Sequence, residues 1–252
     1  MKLNSKKLLL YLYPLAGEQR RASFDQIKLF LPDLTEAGRQ SLIRLLATKE
    51  FIFTDDLTGK QRLTISSYGQ TQLELDFPVL KMNRSTWQGQ WSMLLFLQAP
   101  ATDKNFRYLR TLVLSHRCLA LKRGVYLYPG ELPSAIQQTL QKTYRSAVVV
   151  VQFDKWKFGD EQIIIGQKAS FKDIVSIYSG IGEELERLLT KLPNYKSLSR
   201  GQKQQINSIF DRLVIAMADD IGLLPNYFPH APDGVALLNR FKQGIDLCLN
   251  FQ

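Results

Sequence analysis

The sequence predicts an α+β protein in three consecutive segments: a winged helix-turn-helix over 1–80, a ferredoxin-like βαββαβ domain over 86–166, and a mainly helical domain over 167–252. Three observations carry that expectation. A polar amphipathic segment near Leu34 runs straight into a turn-centred pair of short strands. Two apolar, strand-length runs beginning at Trp91 and Ala147 flank two helical patterns and a hairpin. After Gln167, helical periodicity dominates to the end.

In chain order, Leu8 to Leu12 follows lysines and superficially mimics a secretion signal. The run is short and no small-residue cleavage site follows, so it reads as the first helix. Phe24 to Phe30 is a second helix, stopped by the turn that Pro32 forces. Thr35 caps the third helix, where Leu42, Leu45 and Leu46, with Gly38 one turn earlier, share one face, while Ala37, Gln40 and Arg44 share the other. Phe51 to Thr54 and Gln61 to Ile65, joined by the turn Asp55 to Lys60, form the hairpin, with Lys60 and Arg62 at its tip and flank. A plain surface helix with solvated arginines is the competing reading of the same residues.

The continuous apolar run Trp91 to Leu97 suits a buried central strand. A helix capped by Thr102 or Asp103 carries Phe106, Leu109, Leu112, Val113 and His116. The hairpin Cys118–Leu121 and Val125–Tyr128 turns through Lys122, Arg123 and Gly124. A helix from Leu132 to Thr143 and the strand Ala147 to Phe153 complete the βαββαβ order, and Gln162 to Ile165 offers an added edge strand. Beyond it, Ile174, Ile177 and Tyr178 share a face, as do Leu185, Leu188 and Leu189. Ile206, Ile209, Phe210, Leu213 and Met217 make the longest apolar stripe, read as internal core; the last helix runs from Val235 to Leu249.

The net charge of +10 favours an anionic partner, and its placement is uneven. Residues 81–160 hold twelve Lys and Arg against four Asp and Glu, whereas residues 1–80 hold eleven against nine and residues 161–252 hold ten of each. No apolar run approaches the roughly 20 residues of a membrane helix, so no membrane partner is expected. The two cysteines, Cys118 and Cys248, stand outside any metal or redox spacing and point to a reducing cytoplasm. No cofactor motif, metal-ligand spacing or nucleophile elbow appears, so a non-enzyme without catalytic residues is expected. Asp220 and His230 form the one pair resembling an orienter and base, and capping and turn roles suit them better.

Several of these segments together resemble the PaaX family of bacterial transcriptional repressors. The matches are Arg39-Gln40-Ser41-Leu42-Ile43-Arg44-Leu45, Leu63-Thr64 with Gly69, Trp87-Gln88-Gly89-Gln90-Trp91, Leu109-Arg110-Thr111-Leu112 and Gly124-Val125-Tyr126-Leu127-Tyr128-Pro129. Leu223-Leu224-Pro225, Pro229 and Pro232-Asp233-Gly234 with Ala236-Leu237 resemble the family's final motif, although Ala231 stands where Trp is expected and Asp233 intervenes before the glycine. The resemblance implies a middle domain similar in fold to Cas2. Cas2 enzymes carry an Asp at the end of the first strand, where this chain has Leu95-Phe96-Leu97-Gln98, and Asp154 is left as a strand-end cap.

Together these readings make the expected function that of a sequence-specific regulator, a homodimer on an inverted repeat in double-stranded DNA. Thr35, Arg39, Gln40, Arg44, Lys60 and Arg62 would make the DNA contacts. The family's effector, an acyl-coenzyme A thioester that relieves repression, would suit Arg107, Arg110, Lys122 and Arg123. The alternatives are a Cas2-like metal-dependent nuclease and a nucleic-acid- or protein-binding module without operator specificity.

Overall fold

A computed structural model describes all residues but 16, 18, 58, 59, 82–86, 99–101, 192–197, 251 and 252, with the backbone alone at 56, 57, 60, 61, 249 and 250. It is an α+β protein with two antiparallel sheets among the described residues. These residues group into two compact units instead of three consecutive segments. Residues 1–80, 173–220 and 230–252 form the first; residues 81–172 and 221–229 form the second.

The first unit begins with α1 (Leu3–Leu12), whose Leu8 to Leu12 are fully buried. The short strand β1 (Ala22–Ser23) leads into α2 (Phe24–Phe30), started by a capping box in which the Ser23 hydroxyl accepts from the Gln26 N–H and the Gln26 carboxamide accepts from the Ser23 N–H. Helix α3 (Glu36–Thr48) follows a tight turn, and the strands β2 (Ile52–Leu57) and β3 (Lys60–Ile65) make the hairpin. The sheet order is β1-β3-β2, so β1 docks on the hairpin through Ala22 opposite Leu63. The hairpin is longer than the sequence suggests. Asp55, Asp56 and Leu57 are paired strand residues, opposite Arg62, Gln61 and Lys60, because the ladder continues past the polar residues that signalled a turn.

After β3, α4 (Ser67–Asp76) packs on α1, and a 3-10 turn spans Pro78–Leu80. Helices α8 (Phe171–Lys191), α9 (Arg200–Asp219) and α11 (Gly234–Asn250) lie mostly in this same unit. Helix α9 supplies Ile206, Ile209, Phe210, Leu213 and Met217, all essentially buried, against α1 and α2. Phe210 meets Phe30 edge-on at 5.5 Å and stacks on Phe241 of α11 at 4.3 Å. The stripe is core, and what it completes is the core around α1 and α2. On α8, Ile174 and Tyr178 are buried but Ile177 is exposed.

The second unit is built on the four-stranded sheet β5-β6-β4-β7, from β4 (Trp91–Phe96), β5 (Leu119–Lys122), β6 (Val125–Pro129) and β7 (Val148–Phe153). With α5 (Lys104–Ser115) after β4 and α6 (Ser134–Thr143) after β6, the order is βαββαβ, the ferredoxin-like arrangement. β4 is central, paired to β6 and β7. Leu94, Leu109, Val113, Tyr126, Ile136 and Leu140 form the core between sheet and helices. Asp103 caps α5 by accepting from the Asn105 N–H at 2.8 Å. Residues 161–168, expected to start with an edge strand, form the helix α7 (Glu161–Lys168) instead. The Asp160 carboxylate accepts from the Ile163 N–H at 3.0 Å, and this cap overrides the β-branched run. The short α10 (Leu224–Tyr227) adds Tyr227, whose hydroxyl donates to Glu161 at 2.6 Å.

Candidate nucleic-acid interface

Helix α3 is held by three local devices. The Thr35 hydroxyl accepts from the Gly38 N–H at 3.1 Å and fixes its start. At its end, Glu50 adopts φ 58°, with Glu50 N–H bonded to Ala47 O and Phe51 N–H to Leu46 O, both at 2.9 Å; this is a Schellman cap carrying Glu where Gly is usual. Ile43 and Leu46 are buried beneath it.

The exposed face differs from the expected one by about one residue. Ala37, Ser41, Arg44 and Thr48, at i, i+4, i+7 and i+11, are all exposed, Gln40 is half-buried, and Leu45, expected in the core, is 47% exposed. Ser41 and Thr48 are thus outward polar residues that leucine periodicity alone missed. Their signal was present in the spacing to Ala37 and Arg44.

Arg39 occupies a different position. Its Nη1 donates to Leu31 O at 2.9 Å and to Leu34 O, and the guanidinium lies 5.9 Å from the Phe24 ring centroid. It clamps the turn between α2 and α3, and those bonds use donors that a base contact would need. Arg62 is exposed on β3, opposite Asp55 on one side and Ser23 on the other. Lys60 pairs with Leu57 through the backbone; its side chain lies outside the described residues, as does the hairpin tip at 58 and 59.

In the second unit, Arg107 and Arg110 are exposed on α5, one turn apart. Lys122 and Arg123 are exposed at the β5–β6 turn, where Gly124 takes φ 79° and the Arg123 guanidinium lies 5.4 Å from the Phe106 ring centroid. The turn thus places Arg123 near α5. A cavity of about 230 Å³ in this unit is lined by Ser92, Glu131, Gln137, Gln141, Val150 and Gln152, among others, and by none of those four cations. Asp154 is exposed just after β7. Asp220, at the end of α9, is buried and accepts from the Tyr178 hydroxyl at 3.1 Å, while His230 is exposed. Burial first, and the Asp220 carboxylate next, push the Tyr178 hydroxyl well above its ordinary range. Among the described residues no group of three His, Cys, Asp or Glu could hold a metal ion, and no helix is long and apolar enough to cross a membrane.

No family model matches this chain, and no curated protein does. Among solved structures, it is similar to an uncharacterized protein, Rv0674 from Mycobacterium tuberculosis. The TM-score is 0.51 at 16% identity, over 99% of this chain and 97% of that one. At that identity the likeness is one of fold.

Proposed function

We propose that this protein is a sequence-specific DNA-binding transcriptional regulator that acts in the cytoplasm as a homodimer on an inverted repeat. The observation that carries the reading is the outward face of α3, a capped helix presenting Ser41, Arg44 and Thr48 beside half-buried Gln40 and next to a β-hairpin. In a major groove, Arg44 would bond guanine O6 and N7, Gln40 adenine N6 and N7, and Leu45 would meet a thymine methyl. Arg62 would hold phosphate and set register. The resemblance to PaaX repressors supports the same reading and adds relief by a small acyl-coenzyme A-like effector. The excess positive charge of residues 81–160, with exposed Arg107, Arg110, Lys122 and Arg123, suits its phosphates.

Selection from a random pool of duplex DNA tests the reading. Enrichment of an inverted repeat is expected, and Arg44→Ala should weaken binding to that site by ~1–3 kcal/mol while changing binding to random duplex less. Equal losses on both would reduce Arg44 to a phosphate contact. A second reading, a winged helix that binds protein, is favoured by the hairpin's mixed charge, with Asp55 directly opposite Arg62. Selection without any enriched motif would favour it.

A further inference from the structure

The first unit contains a polar cavity of about 330 Å³. Its walls include Gln19, Arg20 and Arg21 from the segment after α1, and Asn239, Lys242 and Asp246 from α11. Among the described residues, three cations thus line the cavity with one carboxylate, and that carboxylate is already engaged. Asp246 accepts from Arg20 Nη2 at 2.7 and 2.8 Å, from Gln26 Nε2 at 2.9 Å and from the Tyr11 hydroxyl at 3.2 Å.

Donors remain in excess. Lys242 is only 2% exposed, and its ammonium, which carries three N–H bonds, donates one to Tyr13 O at 2.6 Å. Arg20 Nε is buried with no hydrogen-bond partner among the described residues. Arg21 and Asn239 stand exposed at the rim. Lys242 is thus a buried cation with donors beyond the one given to Tyr13 O, beside Arg20 and Asp246, whose side chains keep 22% and 42% exposure, and an acceptor arriving from outside would offset the cost of burying its charge.

We propose that this cavity binds the carboxylate or phosphate group of a small molecule, with Lys242 and Arg20 at its floor and Arg21 and Asn239 at its rim. None of Arg107, Arg110, Lys122 and Arg123 lines it. The binding site stands on its own geometry; its use in control rests on the regulator reading. The link would be Gln26, which bonds Asp246 with its Nε2 and closes the capping box of α2 with its Oε1. An anion competing with Asp246 for Arg20 would disturb that bridge one helix before α3.

Protonation supplies a second signature. Among the described residues, Arg20 and Asp246 act on Lys242 electrostatically and Tyr13 through its carbonyl; Tyr11 bonds Arg20 and Asp246, Arg21 lines the same cavity, α2 brings the neutral Gln26, and α9 sets Phe210 against Phe241. Burial, and then Arg20, bring the Lys242 ammonium down to about 7 against the opposing pull of Asp246. An incoming anion favours the charged form, so it is bound with uptake of a proton from solvent above that pH.

The test is thermal unfolding of the full chain titrated with sodium phosphate and, separately, sodium acetate, against sodium chloride of equal ionic strength. The midpoint is expected to rise with at least one of the two, more below pH 7 than above it. A rise with phosphate alone assigns a phosphate-bearing ligand, and one with acetate alone a carboxylate. Lys242→Met should weaken the response about tenfold, and the rim changes Arg21→Ala and Asn239→Ala several-fold without affecting folding. No rise with either anion, or undiminished responses in the rim variants, overturns the proposal. A selected duplex without an anion response removes the site and leaves the regulator reading. An anion response without a selected duplex does the reverse.

Discussion

Glu50 stands with φ 58° at the junction between α3 and the hairpin, where a Cβ is disfavoured and Gly carries no such cost. Glu50→Gly is therefore expected to stabilise the chain by roughly 0.5–1 kcal/mol, read as a higher urea midpoint at unchanged slope. Gly69 is the opposite case. A Cβ there would lie 2.2 Å from the carbonyl oxygen of Phe51, which is itself bonded by the Ser66 N–H. Backbone must move to admit it, so Gly69→Ala should cost about 2 kcal/mol or more in the same measurement. Neither environment is legible in the sequence, because each depends on residues across a turn or a strand. Thr35, by contrast, was readable as a cap, since a cap acts only on the next three residues.

At the scale of elements, α3 and the hairpin were readable as a helix and two strands, but their faces and lengths were not. Leucine spacing put Leu42, Leu45 and Leu46 on the inner face; Leu46 is buried there, but Leu45 is exposed and Ile43 fills the core instead. The turn-forming composition of Asp55 and Asp56 shortened the expected hairpin, which a continuing ladder extends to Leu57 and Lys60. This rearranges the expected contacts. Arg62 lies mid-strand instead of beside a turn, and Arg62→Ala should lower affinity about equally for selected and random duplex and reduce the salt slope by about one. A loss confined to the selected duplex would instead make Arg62 a reader of bases. Helix α7 shows the same limit from the other side. Ile163 to Ile165 reads as strand, yet Asp160 caps the segment and Tyr227 bonds Glu161 at its first turn.

At the scale of the whole molecule, segments far apart in sequence share a core. Phe30 and Tyr11 pack with each other, and Phe30 meets Phe210. A fragment of residues 1–80 would expose those faces, each buried aromatic or leucine being worth about 1.5–3 kcal/mol. The fragment should fail to fold, seen as an amide spectrum without dispersion; a folded fragment would show that α9 and α11 are dispensable. Lys242 gives a prediction in pH. Its folded ammonium titrates near pH 7, against 10.5 as the ordinary value, so between those limits the unfolded chain holds more protons and stability climbs with pH. As pH falls to 7 that stability is lost, and below it the penalty stays constant. Lys242→Met should therefore raise stability at pH 7 by roughly 2–4 kcal/mol, with a gain that shrinks toward pH 10.5, measured by urea unfolding across that range.

What the sequence determined by itself was local: the bounds of α2 from its apolar run and Pro32, the cap of α3, the strand β4, and the βαββαβ order of the second unit. Each follows from the conformational preferences of a few neighbouring residues. Tertiary structure alone decided that α9 and α11 complete the first unit, that Arg39 clamps a turn, and that Arg20, Lys242 and Asp246 converge on one cavity. Those outcomes depend on burial and on the pairing of charges and donors supplied from distant parts of the chain, which nearest-neighbour patterns do not encode.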